Sequence, residues 1–441
     1  MKKRVIATMA AATMVAALFA GCTGTSSSSS AASSAAASSA AASSATDSSA
    51  ADSSAADSSE SEDLGSGEIT IWVAEAVVDT TKKLADDFIK SDDKYSGYTV
   101  TIEAVGEGDA ATNMITDVEG GADIFGFAQD QLARLVAAGA VNPVVGDYYS
   151  FVESSNDAGS VAATKVGDTA YAFPMTSDNG YFLYYDKSVI TDVSTLDAVV
   201  KQCEDAGKSL YFQINSGWYN TAFFFGAGCT VTYETDEDGN FTGCTCDYDS
   251  ENGVEALEAM IKLASSSAFV NGSSASDAVD YAAIVDGTWD KTTVKDYFGD
   301  NYACAKLPTF TCGDEQVQLS GFGGFKLLGV KPQTDAGKLK VCLDLAKWLT
   351  NADSQLARYE AVGWGPSNLE AQASEAVQED EALAALGAQL AYTIPQGQYP
   401  NDYWSIAEAL GNDVIAGTIN ADSDLMAALE DVVAKFKALA K

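Results

Sequence analysis

The sequence predicts an α/β fold divided into two lobes. Three observations carry this. Between Glu68 and Val141, strand-like and helix-like segments alternate, which implies a parallel sheet wound with helices. The portion with core-forming composition runs to about 375 residues, more than a single hydrophobic core usually holds. From Lys338 onward the pattern becomes helical in blocks.

The first strand is "EITIWVAE" (68–75), followed by a helix with Leu84, Phe88 and Ile89 at helical spacing. "YTVTIEAV" (98–105) is a second strand, "TNMITDVEGG" a short helix ended by glycines, and "ADIFGFA" a third strand. A helix with Leu132, Leu135 and Val136 facing inward then ends near Gly139. Sheets of this kind bind ligands at the carboxyl ends of their strands. "TAYAFPMT" (169–176) and "GYFLYYDKSVI" (180–190) predict two strands around a break at Ser177-Asp178-Asn179, and "SLYFQIN" predicts another. Residues 229–249 read as a hairpin turning at Asp238-Gly239-Asn240. "YACAKLPTF" and "GFGGFKLLGV" complete the strands; the close glycines of the latter mark a closely approached backbone or a crossing between lobes. Helical blocks are predicted over 338–349, 353–361, 371–391, 401–416 and 423–440.

The first residues stand outside this fold. "MKKR" and the apolar run Val5 to Phe19 form a secretory signal over residues 1–21. "LFAGC" resembles a bacterial lipobox, with Phe19 where leucine is usual, so Cys22 is the expected lipidation site. From Thr23 to about Ser61 the chain is almost only Ser and Ala, with Asp entering later, so residues 22–66 are predicted to be a disordered tether with a reach on the order of 35 Å.

The formal charge of −38 disfavours nucleic acid and anionic membrane surfaces, which require a basic footprint. Arg4, Arg134 and Arg358 are the only arginines, so few guanidinium forks exist for an anionic ligand. There is no histidine, which excludes Ser-His-Asp and Cys-His catalysis and the usual catalytic zinc sites. The hairpin turn lacks the spacing of a calcium loop, and no phosphate loop is present; neither metal nor cofactor is expected. Cys229 with Cys244 or Cys246, and Cys304 with Cys312, pair across strands or remain buried thiols.

Several blocks in order resemble the sugar-binding proteins of ABC importers, closest to the maltose and maltodextrin binders, across about residues 67–440. These are "EITIW", "GGADIFGFAQDQLARLVAAGAVNPV", "AYAFPM…LYYDK", "LPTF" followed by "GFGG", "AKWLTNADSQLARYEAVGWGPSN" and "IPQGQYPNDYWSIAEAL". The resemblance implies a periplasmic-binding-protein-like fold, with the ligand cleft between lobes joined by hinge crossings. It assigns 67–173 plus 322–370 to an N-lobe and 179–320 plus 371–441 to a C-lobe.

Sugar binding needs aromatic faces for pyranose C–H surfaces and carboxylates or amides for hydroxyl pairs. Trp404 lies off the buried stripe formed by Tyr403, Ile406, Ala407 and Leu410, about 100° from Tyr403, and the family places a stacking tryptophan here. Trp289 follows a glycine at a strand-to-helix turn, with Thr288 where the family has proline. Tyr219 matches a family ring-stacking tyrosine; either it or Trp218 faces inward. Trp364, in a glycine-flanked loop, is placed at the cleft rim.

Asp130 follows the third strand, where the family keeps a ligand-binding aspartate, and Gln131 replaces the family's adjacent arginine. Phe127 stands at a family tryptophan position. Asp178 or Asn179 matches a family glutamate, and Glu75 is a candidate hydroxyl acceptor. The maltose binders' Asp-Lys pair beside it is replaced by Ala76 and Val77. The sequence therefore predicts a non-enzymatic, monomeric lipoprotein on the outer face of the cytoplasmic membrane. It would capture maltose or maltodextrin and hand it to permease subunits of an ABC transporter. The alternatives are a binder of another oligosaccharide or of a cationic small ligand, and a secreted glycoside hydrolase using two carboxylates.

Overall fold

A computed structural model describes residues 64–440, apart from 237, 273 and 278. The signal and most of the tether predicted for residues 1–66, with Cys22, lie outside the described residues.

Two sheets, each with its own core, organise the chain. In the first, β1 (Gly67–Val73) lies between β2 (Tyr98–Ala104) and β3 (Ile124–Ala128), parallel to both. The helices α1 (Val78–Ser91) and α2 (Glu107–Thr116) make the connections. A three-residue turn, Gln129–Gln131, then leads from β3 into α3 (Leu132–Ala137). In α1 the buried positions Thr81, Ala85 and Phe88 recur at four and three residues, so one stripe meets the sheet. Ile69, Ile71, Phe88, Ile124, Val341 and Leu345 share this core.

The second sheet has the order Phe269–Val270, Ser209–Tyr211, Tyr281–Gly287, Tyr181–Asp186, Tyr302–Ala305. Its core joins Phe223, Leu257, Val285, Phe310, Tyr403 and Phe436.

Two strands run from one core to the other. The strand Phe322–Val330 has Phe322 in the second core and Leu328 and Val330 in the first. It lies antiparallel to β3 and to Ala172–Asn179, so the first sheet is mixed rather than purely parallel. Phe173 and Met175 of Ala172–Asn179 belong to the first core, and Tyr181, just past its end, to the second. The break predicted at 177–179 is confined to Gly180, because Ser177, Asp178 and Asn179 stay extended within the strand.

The helix predicted over 371–391 is three shorter ones, Leu369–Gln372, Glu375–Gln378 and Glu381–Leu390. Ser374 and Asp380 take extended backbone angles at the interruptions, and Asp380 caps the third helix by accepting from the Ala382 and Leu383 amides. "SLYFQIN" is strand only at Ser209–Tyr211. Among the described residues, all seven cysteines are free thiols, which settles the open choice against disulfides.

Candidate ligand cleft

A cleft of about 740 Å³ opens where the crossing strands leave the sheets. Residues from both sheets line it. Its size lies within the roughly 300–1,000 Å³ of small-ligand sites.

Trp404 occupies the first turn of the helix Asn401–Ile415. Tyr403 is fully buried against Phe436, with ring centroids 4.7 Å apart, while Trp404 is half-buried and lines the cleft. The two rings meet edge-on, with centroids 4.8 Å apart, and Trp404 also packs against Tyr399 at 5.5 Å, so it rests on the second core while it lines the cleft.

Trp218 and Tyr219 both line the cleft, so neither excludes the other. Their functions differ. The Tyr219 hydroxyl donates to Asp286 Oδ1 at 2.7 Å, which fixes the ring in the cleft wall. Trp218 is more exposed and its indole N–H donates to Gln396 Oε1 at 3.2 Å. Its ring centroid is 5.8 Å from that of Trp289. Trp289 sits in the turn Thr288–Asp290 with its six-membered ring against the backbone of Gly287. A Cβ at position 287 would fall 2.1 Å from Trp289 Cη2, so only glycine lets the ring lie there.

Trp364 also contributes to the lining, but it is 3 % exposed and belongs to the first core, so it is a wall rather than the rim expected. Gly363 before it adopts φ 78°, turning the chain out of the helix Ala352–Val362.

Asp130 lines the cleft just beyond β3, at the carboxyl end of the sheet. It makes no capping bond to α3. Burial pushes its carboxyl up to about 7, partly opposed by the Arg134 guanidinium. Asn179 reaches the lining, and Gln396 accepts from its side-chain amide at 3.4 Å.

Three expected residues do not line the cleft. Phe127 is fully buried. It lies on the same face of β3 as Phe125, their ring centroids 5.6 Å apart, and packs with Leu132, Leu135 and Val141. Alternation along the strand carries it away from the cleft. Asp178 is also buried; its Oδ2 accepts from Thr288 Oγ1 at 2.5 Å and from the Gly365 amide at 2.6 Å. It fastens the crossing strand to the loops bearing Trp289 and Trp364 instead. Glu75 is exposed in the 3₁₀ turn Glu75–Val77. Ala74 and Ala76 on either side of it line the cleft, and Glu75 does not.

Sequence reasoning missed Lys326, Glu107, Gln396 and Glu408, all in the lining. Lys326 is 6 % exposed, and its Nζ lies 3.9 Å from the ring centroid of Trp364 and 5.2 Å from that of Trp289. A desolvated cation over indole is worth about 2 kcal/mol. The signal was present: Lys326 is the one charge inside the strand "FGGFKLLGV". Gln396 organises the floor by accepting from Trp218 and Asn179, while its carbonyl accepts from the Gln129 amide. Gly324 keeps this floor open, since a Cβ there would approach the side chains of Gln396, Gln129 and Asn179 within 3.1–3.4 Å.

Two lobes with crossing strands and an aromatic, carboxylate-bearing cleft between them define the class of solute-binding proteins that enclose a ligand between domains. The chain belongs to the bacterial extracellular solute-binding protein family, whose profile matches residues 83–385. Its fold is that of the maltose- and maltodextrin-binding proteins. A structure described as being with acarbose is 27 % identical, with a TM-score of 0.76 over 86 % of this chain and 100 % of its own. The maltodextrin binding protein MalE1 from L. casei BL23, without ligand, is 26 % identical, with a TM-score of 0.70 over 84 % and 99 %. The GacH receptor of Streptomyces glaucescens GLA.O is 19 % identical, with a TM-score of 0.70 over 85 % and 98 %. No curated protein matches the sequence significantly. Among the described residues, no helix is long and apolar enough to cross a membrane.

Proposed function

We propose that this protein captures a neutral glucan oligosaccharide, a maltodextrin, and delivers it to an ABC permease without chemical change. The observation that carries this reading is the convergence of Trp404, Trp218, Tyr219 and Asp130 on one cleft. Indole and phenol rings cover the C–H faces of pyranoses, and a carboxylate takes their hydroxyl pairs. The names of the similar structures, a maltodextrin binder and one with acarbose, support the same ligand class.

In this reading the N-lobe is 67–173 with 322–370 and the C-lobe 179–320 with 371–441. The lobes close by a hinge at the crossing strands, and the closed form docks on the permease. Lipid at Cys22 and the Ser/Ala-rich spacer hold the monomer at the outer face of the membrane. Calorimetric titration with maltotriose, cellotriose and xylotriose tests the ligand class. Heat with maltotriose alone supports it, and silence with every glucan removes it.

A further inference from the structure

We propose that Lys326 is a ligand-contacting residue that sets specificity in the cleft. The proposal rests on the oligosaccharide reading above. Lys326 stands on the crossing strand, opposite Ala128 of β3 and Thr176 of the neighbouring strand. Its side chain is almost wholly removed from water, yet among the described residues it makes no ion pair. The ammonium is held by ring faces, at 3.9 Å from Trp364 and 5.2 Å from Trp289.

Aromatic faces hold a cation without consuming its N–H groups as acceptors would, so donors remain for an oxygen in the cleft. The same placement governs Trp289. Its six-membered ring lies against Gly287 and Lys326 stands over it, while Trp289 itself is half-buried and lines the cleft, so it helps to orient the lysine beside the ligand space. A hydroxyl or acetal oxygen of the sugar ring beside Trp364 accepts from Lys326, and a cationic group is rejected there.

The test uses the mature protein and the variants Lys326→Met and Lys326→Arg. Calorimetry is run with maltotriose, cellotriose, xylotriose and acarbose, alongside melting curves. The expected result is a loss of at least tenfold in affinity for Lys326→Met on whichever sugar the wild type binds, with partial rescue by Lys326→Arg. Unchanged affinity in a folded Lys326→Met protein overturns the assignment, and a fall in melting temperature alone reduces Lys326 to a packing residue. If the wild type binds only a sugar other than maltotriose, the maltodextrin reading fails while the lysine test proceeds on that sugar. A second readout needs no assumption about the ligand. Reductive ¹³C-methylation, with the Lys326 signal assigned as the one lost in Lys326→Arg, should show that resonance moved upfield by the indole rings. A labelled Lys326 at the shift of an exposed lysine overturns the geometry.

Discussion

The hydroxyl of Tyr219 donates to Asp286 Oδ1 at 2.7 Å, directly beneath the wall of the cleft. The same oxygen accepts from the Gly287 amide at 2.8 Å. Asp286 is buried, and burial, with the nearby Asp290 carboxylate, raises its carboxyl above the ordinary value. An acid raised in this way is neutral in the folded state at low pH. Its contribution to stability is fully present below the unfolded value and is lost as pH rises through the folded one. Tyr219 opposes that loss by stabilising the carboxylate. Tyr219→Phe should therefore destabilise by about 1–3 kcal/mol at pH 8 and by less at pH 5. Denaturant titrations at both values check this, and an equal loss at both pH values contradicts it.

Asp130 extends the argument to binding. Burial holds its carboxyl at about 7, so it ionises across neutral pH. A carboxylate accepts paired sugar hydroxyls better than a carboxylic acid does. Affinity should be higher at pH 8 than at pH 5.5, with a midpoint near 7, and Asp130→Asn should flatten the profile. The stability sign runs the other way. Ionising buried Asp130 costs stability as pH rises from its unfolded value to about 7, so the thermal gain from Asp130→Asn should grow over that interval.

Trp404 and its neighbour separate binding from folding. Trp404→Ala should weaken sugar binding by about 2 kcal/mol, roughly thirtyfold, and, because the half-buried ring also packs on Tyr399 and Phe322, should lower the melting temperature less than loss of Tyr403 does. Tyr403→Ala removes a fully buried ring and should cost about 3–5 kcal/mol of stability instead. Parallel calorimetry and melting curves distinguish them. A Trp404→Ala protein with unchanged affinity would make that residue packing.

The legibility of these sites follows from the physics of each element. A long amphipathic helix has a strict period, so the positions of Tyr403 and Trp404 were readable from the sequence. Strand β3 is buried on both faces, with Ile124 in one core and Phe125 and Phe127 in another, so no polar alternation marked which face Phe127 would take. Asp178 and Asn179 are adjacent and polar, yet only tertiary contacts decide that the first is consumed by Thr288 and Gly365 while the second reaches the cleft. Lys326 was overlooked because a lone charge in an apolar strand has meaning only once the two indoles that hold it are known, and Trp289 and Trp364 lie 37 and 38 residues away from it in sequence (326 − 289 and 364 − 326).

A crystal structure of the mature protein grown with maltotriose tests the central claim most directly. Sugar rings should lie against Trp404 and Trp218, with hydroxyl oxygens in hydrogen-bond reach of Asp130. Density for the sugar outside this cleft, or none at saturating maltotriose, would contradict the account.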